Sequence, residues 1–477
     1  MNFFKLTSLF LISAIPLHFS HTADQRPNVV VIVYDDMNGY GSLERYPAIQ
    51  MPYLDKLKGQ SVNFINATCS VPVCNPSRAS FLSGLQPTTN GAYLNGADIW
   101  DKPGSTNEHL VSLPEHFRNQ GYLTWGAGKT FHSPMQPGRL ERTFDVRPSN
   151  DGGFGPGPNP AHPIIAPGVQ AWQGRDDDFP DVQNANDAIH FIQQKHEKPF
   201  FMFYGLWRPH SPYTAPKRFF EKYDPKRLPL PPGWNEDDLN DVPEEGNQLS
   251  DGLIKFKEEQ GWNTDKWRKT LWGYCAASSF ADWSVGRVIE AIDQSPYADN
   301  TIIILFSDNG YHCGEKRRWG KGTLWDASDY VPLLVRTPYT LAATSKRTVS
   351  LLDLYPTLVD LCDLESPDHE LEGESFAHLL EDPSGEWTRP SFSVYGKHNA
   401  SIRGERYHYI LYQDGTEELY DTQRDPHEFK NLAANPSFRH VMDDLASFIP
   451  KAWEKSWGGR WEVGRPEATG LQPPEPR

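Results

Sequence analysis

The stretch Cys74-Asn75-Pro76-Ser77-Arg78-Ala79-Ser80-Phe81-Leu82-Ser83-Gly84 puts a nucleophilic side chain close to a fixed cation. Pro76 suits the first helical position, where its missing N–H costs nothing, and Asn75 suits the cap before it. Cys74 is then expected at a helix N-terminus, where unpaired N–H groups and the helix dipole favour an anion. Arg78, one turn on, adds a fixed positive charge. A buried Cys also serves as a small hydrophobe, so this local pattern leaves both uses open. Asp35 and Asp36 are adjacent carboxylates, hard oxygen ligands suited to Ca²⁺ or Mg²⁺, although a solvated loop pair has the same composition. Asp308-Asn309 adds a further carboxylate and an amide oxygen. Lys129 and His132 lie in Gly128-Lys129-Thr130-Phe131-His132, and His210 in Arg208-Pro209-His210-Ser211-Pro212. Taken singly, each of these three is more often surface or core filler.

What gathers these residues is the set of elements before them. Pro27–Tyr34, Phe200–Trp207 and Thr301–Phe306 are continuous apolar runs, which predict strands buried on both faces, as in a parallel sheet. Tyr122–Gly126 can form another. In open α/β sheets ligands gather at the carboxyl ends of strands. Four such ends would deliver Asp35 with Asp36, Lys129 with His132, His210, and Asp308 with Asn309 to one place, and a helix start would add Cys74. That is a pocket for a metal-bound anion. Helices are expected at Met51–Val62, up to Gln120, and over Val182–His196, Trp267–Asp293 and Leu351–Leu364. Strand-like runs return at Ser391–Tyr395, Tyr407–Tyr412 and Glu418–Tyr420, with the hairpin signal Asp414-Gly415 between the last two. The fold class is therefore α/β, a large mostly parallel sheet sandwiched by helices, with a smaller C-terminal subdomain holding an antiparallel sheet. Pro134–Pro180 is Gly- and Pro-rich and is expected as an ordered loop over the site; Tyr223–Asn263 reads as a substrate-side insertion.

The 477 residues carry a net charge of −16, which disfavours nucleic acid and anionic membranes as partners. An enzyme for anionic substrates would then need its positive charge concentrated in one pocket. Residues 1–23 read as a signal peptide: Lys5, an apolar run from Leu6 to Leu17, and a small-residue cut site at Thr22-Ala23. The run is too short for a typical span, so no stable membrane anchor is expected. The divisions expected are 1–23 signal peptide, 24–385 catalytic domain, 386–463 C-terminal subdomain and 464–477 Pro-rich disordered tail. Export makes the protein periplasmic or secreted. Five cysteines leave at least one unpaired, and disulfides or free buried thiols remain equally open for the others.

Cys74-x-Pro76-Ser77-Arg78 with Ala79-Ser80-x-x-Ser83-Gly84 resembles the signature of the type I, formylglycine-dependent sulfatases of the alkaline phosphatase-like superfamily. Gly128-Lys129-x-x-His132, Arg208-Pro209-His210-x-Pro212, Ser307-Asp308-Asn309-Gly310 and a later Lys321 resemble the family's other segments in the same order. Arg208 with His210, and Ser401-Ile402-Arg403 before Tyr407, are most similar to the iduronate-2-sulfatase-like branch, where Lys is usual at 208. The resemblance implies oxidation of Cys74 to Cα-formylglycine by a formylglycine-generating maturation enzyme. It implies Asp35, Asp36, Asp308, Asn309 and converted Cys74 as ligands of Ca²⁺ or Mg²⁺. A hydroxyl of the aldehyde hydrate would attack the sulfur of a sulfate ester on a glycan. Arg78 and Lys129 would steady the hydrate, Lys321, His210 and Arg208 would bind the substrate, His210 would protonate the leaving alcohol, and His132 would take the hydrate's second proton. Two other readings remain: a phosphate- or phosphonate-ester hydrolase of the same superfamily, and a non-catalytic carbohydrate-binding protein with unconverted Cys74.

Overall fold

The computed structural model describes residues 26–458, apart from 43, 133–137, 149–151, 167 and 250–263. The expected signal peptide and Pro-rich tail lie outside the described residues, as does part of each long loop. The strands run in chain order as β1 (Asn28–Asp35), β2 (Val62–Thr68), β3 (Leu123–Gly128), β4 (Val169–Trp172), β5 (Phe200–Pro209), β6 (Tyr213–Pro216), β7 (Thr301–Ser307), β8 (His312–Cys313), β9 (Trp319–Gly320), β10 (Leu333–Arg336), β11 (Ala343–Ser350), β12 (Ser391–Val394), β13 (Ala400–Arg403), β14 (Tyr407–Leu411) and β15 (Glu417–Asp421). Seven form the central sheet in the order β11-β2-β10-β7-β1-β5-β3. Only β10 runs against the rest, pairing antiparallel with both β7 and β2.

Every residue of β1 is buried, because helices cover both faces of the sheet. Val30, Ile32 and Tyr34 pack with the long helix Thr264–Asp293 and with Pro180–Ile192. Val29, Val31 and Val33 face the other way, against Leu113–Asn119 and Leu354–Leu361. Period-two alternation thus splits one apolar run between two cores. The antiparallel sheet β12-β13-β14-β15 makes the C-terminal subdomain, with Arg439–Ala446 packed on its outer face. Its inner face, Phe392, Val394 and Ile402, closes over Val71, Val73 and Trp325 next to the Cys74 segment.

Three expectations need correction. The predicted helix Met51–Val62 is a helix only over Pro52–Lys58; after Gly59 the chain turns into β2, whose Val62 and Phe64 reach the core. β11 and β13 were not expected: β11 is a polar, half-exposed edge strand with no apolar signature. The nucleophile helix spans Cys74–Ser83 with Val73 in the cap position, so Asn75 and Pro76 lie inside its first turn. Asn75 serves instead as a brace, donating from Nδ2 to Ala97 O at 2.7 Å. All five cysteines are buried and free.

Candidate active site

Register brings the functional residues together. β1 lies between β7 and β5, with Tyr34 opposite Ser307 and Asp35 opposite Pro209. The next residues, Asp36, Asp308 and His210, therefore emerge side by side. Asp36 has a left-handed backbone (φ 66°), a conformation that costs energy for Asp and turns the chain sharply at the strand end. On the far side of β5, Gly128 and Gly205 face each other across β3 and β5. A Cβ at Gly205 would stand 2.0 Å from Lys129 O, so only glycine permits this approach. It places Lys129 N 3.0 Å from Gly205 O and turns the Lys129 side chain inward.

Lys129 Nζ donates to Asp35 Oδ2 at 2.7 Å. Lys321 Nζ donates to Asp36 Oδ1 and lies 2.6 Å from Cys74 Sγ. Cys74 Sγ lies 3.4 Å from Asp35 Oδ1 and 3.8 Å from Asp36 Oδ1. His210 Nε2 is 3.6 Å from Asp36 Oδ2. Arg78 Nε donates to Asp308 Oδ2 at 2.8 Å, and its Nη1 donates to Lys129 O and Thr130 O, tying helix, β7 and β3 loop together. Asn309 Nδ2 donates to Asp36 Oδ1 at 2.9 Å, while its buried Oδ1 has no hydrogen-bond partner. His132 is half-buried on the loop four residues past β3.

Burial and charge compete at each group. Burial raises the Asp35 carboxyl, but Lys129, His210, Lys321 and Arg78 outweigh it and hold it far below the ordinary range. Burial pushes the Cys74 thiol well above its ordinary value despite Lys129 and Lys321. Burial thus opposes the anion that a helix start favours. For Lys129 and Lys321 burial disfavours the charge, yet Asp35 and Asp36 respectively raise both above the ordinary value. Burial lowers His210 against the pull of Asp36 and Asp35.

The donor set suits a hard divalent cation: Asp35, Asp36, Asp308 and the unpartnered Asn309 Oδ1 are all oxygens, and all are buried. Asp35, Asp36, Cys74 and His210 each offer a ligand atom within 4.8 Å of one another.

Arg208, expected at the substrate, faces the other way. Its Nε donates to Thr214 O at 3.0 Å, Nη1 to His210 O at 3.2 Å, and Nη2 to Thr214 Oγ1 at 2.7 Å and to Phe154 O. The guanidinium is spent on the loop that carries His210, so Arg208 is a positioning residue. Asp181 supports that turn from below, accepting from the backbone N–H groups of Trp207 and Arg208 at 2.9 and 3.1 Å. Sequence reasoning missed Asp181 and Phe154, since neither lies in a motif. A second buried cluster, Asp326, His408 and Glu428, was also missed. His408 Nδ1 meets Asp326 Oδ1 at 3.2 Å and Glu428 Oε1 more closely, and Arg403 Nε donates to Asp326 Oδ1 at 3.2 Å. Burial lowers His408, but Glu428 and Asp326 overcome that and lift it to about 10, so the cluster is an ion network closed by its own cations.

A sulfatase family model matches residues 27–364, and a model of the N-sulphoglucosamine sulphohydrolase C-terminal region matches 314–455. A sulfatase of Formosa agariphila is 34% identical over 446 residues, covering 89% of this chain and 87% of the relative. The chain belongs to the sulfatase family. It is a hydrolase of sulfate esters. An ulvan-active sulfatase of the same organism is 28% identical, covering 89% of this chain and 81% of its own. Human iduronate 2-sulfatase, from the branch that Arg208-Pro209-His210 resembles, is 28% identical over 71% of this sulfatase and 70% of its own length. The phosphonate monoester hydrolase of Agrobacterium radiobacter shares the fold, with a TM-score of 0.70 at 22% identity over 88% of this chain and 94% of that one.

Proposed function

We propose that this sulfatase is exported and removes sulfate from a sulfated poly- or oligosaccharide, with Cα-formylglycine made from Cys74 and a bound Ca²⁺. The observation that carries the reading is the placement of Cys74 Sγ between Asp35, Asp36 and Lys321, within a ring of fixed cations. Export is supported by the Lys5 and Leu6–Leu17 pattern, and a carbohydrate substrate by the ulvan-active relative.

Asp35, Asp36, Asp308 and Asn309 would hold the ion. A hydrated formyl group at position 74 would supply the attacking oxygen, which a bound divalent ion would make more acidic. Lys129 and Arg78 fix the geometry around it, Lys129 through Asp35 and Arg78 through Asp308. Lys321, beside position 74, is set to hold a sulfate oxygen, and its charge stabilises the negative charge that develops there. His210 Nε2 faces the site and gives its proton to the leaving alcohol. His132 accepts the proton whose removal ends the cycle.

The test is sulfate release by purified, mature protein on a panel of sulfated glycans and their oligosaccharides, beside phosphate and phosphonate monoesters. Sulfate from one glycan, together with a Cys74 peptide whose mass shows sulfur replaced by oxygen, is the expected result. Faster turnover of the phosphorus esters, or an intact Cys74 thiol in active protein, contradicts it.

A further inference from the structure

We infer that Phe154 is a positioning residue for the proton donor: it holds the His210 imidazole at the angle from which Nε2 reaches the leaving oxygen. This rests on His210 as the general acid. The Phe154 ring stacks on the imidazole with centroids 4.5 Å apart and planes 30° apart. The same phenyl ring packs edge-on against Trp207, 4.9 Å away at 73°. Its backbone is locked as firmly as its ring. Phe154 O accepts from Arg208 Nη2, while Arg208 Nη1 donates to His210 O, so one buried guanidinium fixes both partners of the stack. The neighbouring Pro156 O accepts from Thr214 Oγ1, itself bound to Arg208.

The approach is built for this contact. Gly152 and Gly153 have φ of 113° and 126°, and a Cβ on Gly152 would stand 2.5 Å from Pro180 Cβ and 2.9 Å from Trp207 Nε1. Only a glycine lets the loop pass close enough to lay Phe154 on His210.

The imidazole needs such a contact. His210 Nδ1 lies 2.6 Å from Ser211 O and donates to it, which leaves Nε2 toward Asp36 and the site. That bond fixes one edge only, and rotation about the last side-chain torsion of His is soft. A parallel ring restricts the remaining freedom. In the step itself, an oxygen of the hydrated formyl group at position 74 would bond to sulfur as the bond between sulfur and the leaving oxygen breaks; that bond's electron pair goes to the leaving oxygen, and the Nε2 proton follows. The imidazolium becomes a neutral ring still bonded through Nδ1–H to Ser211.

Protonation matters for a poor leaving group, such as a sugar alcohol, and little for a nitrophenol. Phe154→Ala, Phe154→Tyr and His210→Ala are compared with wild type on the preferred sugar sulfate and on 4-nitrophenyl sulfate, and the Phe154→Ala crystal structure is solved. Phe154→Ala is expected to lose roughly 10²-fold in kcat on the sugar sulfate with KM little changed. It should lose only a few-fold on the aryl sulfate and show the His210 ring turned or disordered, and Phe154→Tyr should restore most of the rate. Equal losses on both substrates, a loss confined to KM, or an unmoved and ordered His210 ring overturns the assignment. If His210→Ala itself shows no dependence on the leaving group, it is the general-acid reading that fails.

Discussion

Asp35, Asp36 and Asp308 are buried close together, and carboxylates so placed tolerate one another only beside compensating cations. Lys129, Lys321 and Arg78 supply part of that compensation, and the unpartnered Asn309 Oδ1 leaves a donor for a metal. Chelation should therefore lower the melting temperature as well as stop turnover. The expected loss is about 2.7 kcal/mol relative to protein in Ca²⁺ at 100 times its Kd, read by calorimetry and reversed by adding Ca²⁺. Asn309→Ala should weaken Ca²⁺ binding in titration calorimetry and lower the melting temperature of the apo protein through loss of the hydrogen bond to Asp36; unchanged affinity would remove Asn309 from the ligand set. Cys74→Ala should leave folding intact, since only a sulfur is lost from a small buried side chain, and should cut turnover by roughly 10³-fold or more.

At this scale the sequence was informative where a residue's chemistry needed no partner to be understood. Asp35, Asp36 and Asp308 follow buried strands directly, and strand ends converge. The direction in which Arg208 points was hidden, because it is decided by Thr214 O and Phe154 O, the latter contributed by a loop 54 residues away.

Between elements, the decisive contact is the meeting of β3 and β5. Gly205→Ala would push a methyl into Lys129 O, and relief requires the strands to separate. A destabilisation of about 1–3 kcal/mol is expected from denaturant unfolding, with a larger proportional loss of activity because Lys129 moves away from Asp35. β1, β5 and β7 were legible as continuous apolar runs, for burial on both faces leaves no room for polar alternation. β11 was not, since Ala343-Thr344-Ser345-Lys346-Arg347 reads as loop and becomes a strand only by pairing with β2. The expected helix Met51–Val62 overran Gly59 and took in Val62, the first residue of β2, because that apolar side chain continues the apolar residues of Pro52–Lys58.

Across the whole molecule, the C-terminal sheet is fastened to the catalytic domain through the Asp326–His408–Glu428 network, with Arg403 on its flank. His408 is raised from 6.5 to about 10, so the stability it contributes is complete below about pH 6.5 and is lost as pH climbs through 10. Asp326 is held far below its ordinary value: burial opposes this, but Arg403 and then His408 outweigh it, and its contribution is lost only in strong acid. His408→Gln should cost about 3–5 kcal/mol at neutral pH and flatten the alkaline fall of melting temperature relative to wild type. A parallel alkaline slope in the two proteins would show that the network does not carry it. Whether sulfate-ester hydrolysis depends on position 74 is decided by the free sulfate released from sulfated glycans, wild type against Cys74→Ala. The wild type should release sulfate from at least one glycan and the variant none above background. Equal release by both would contradict it.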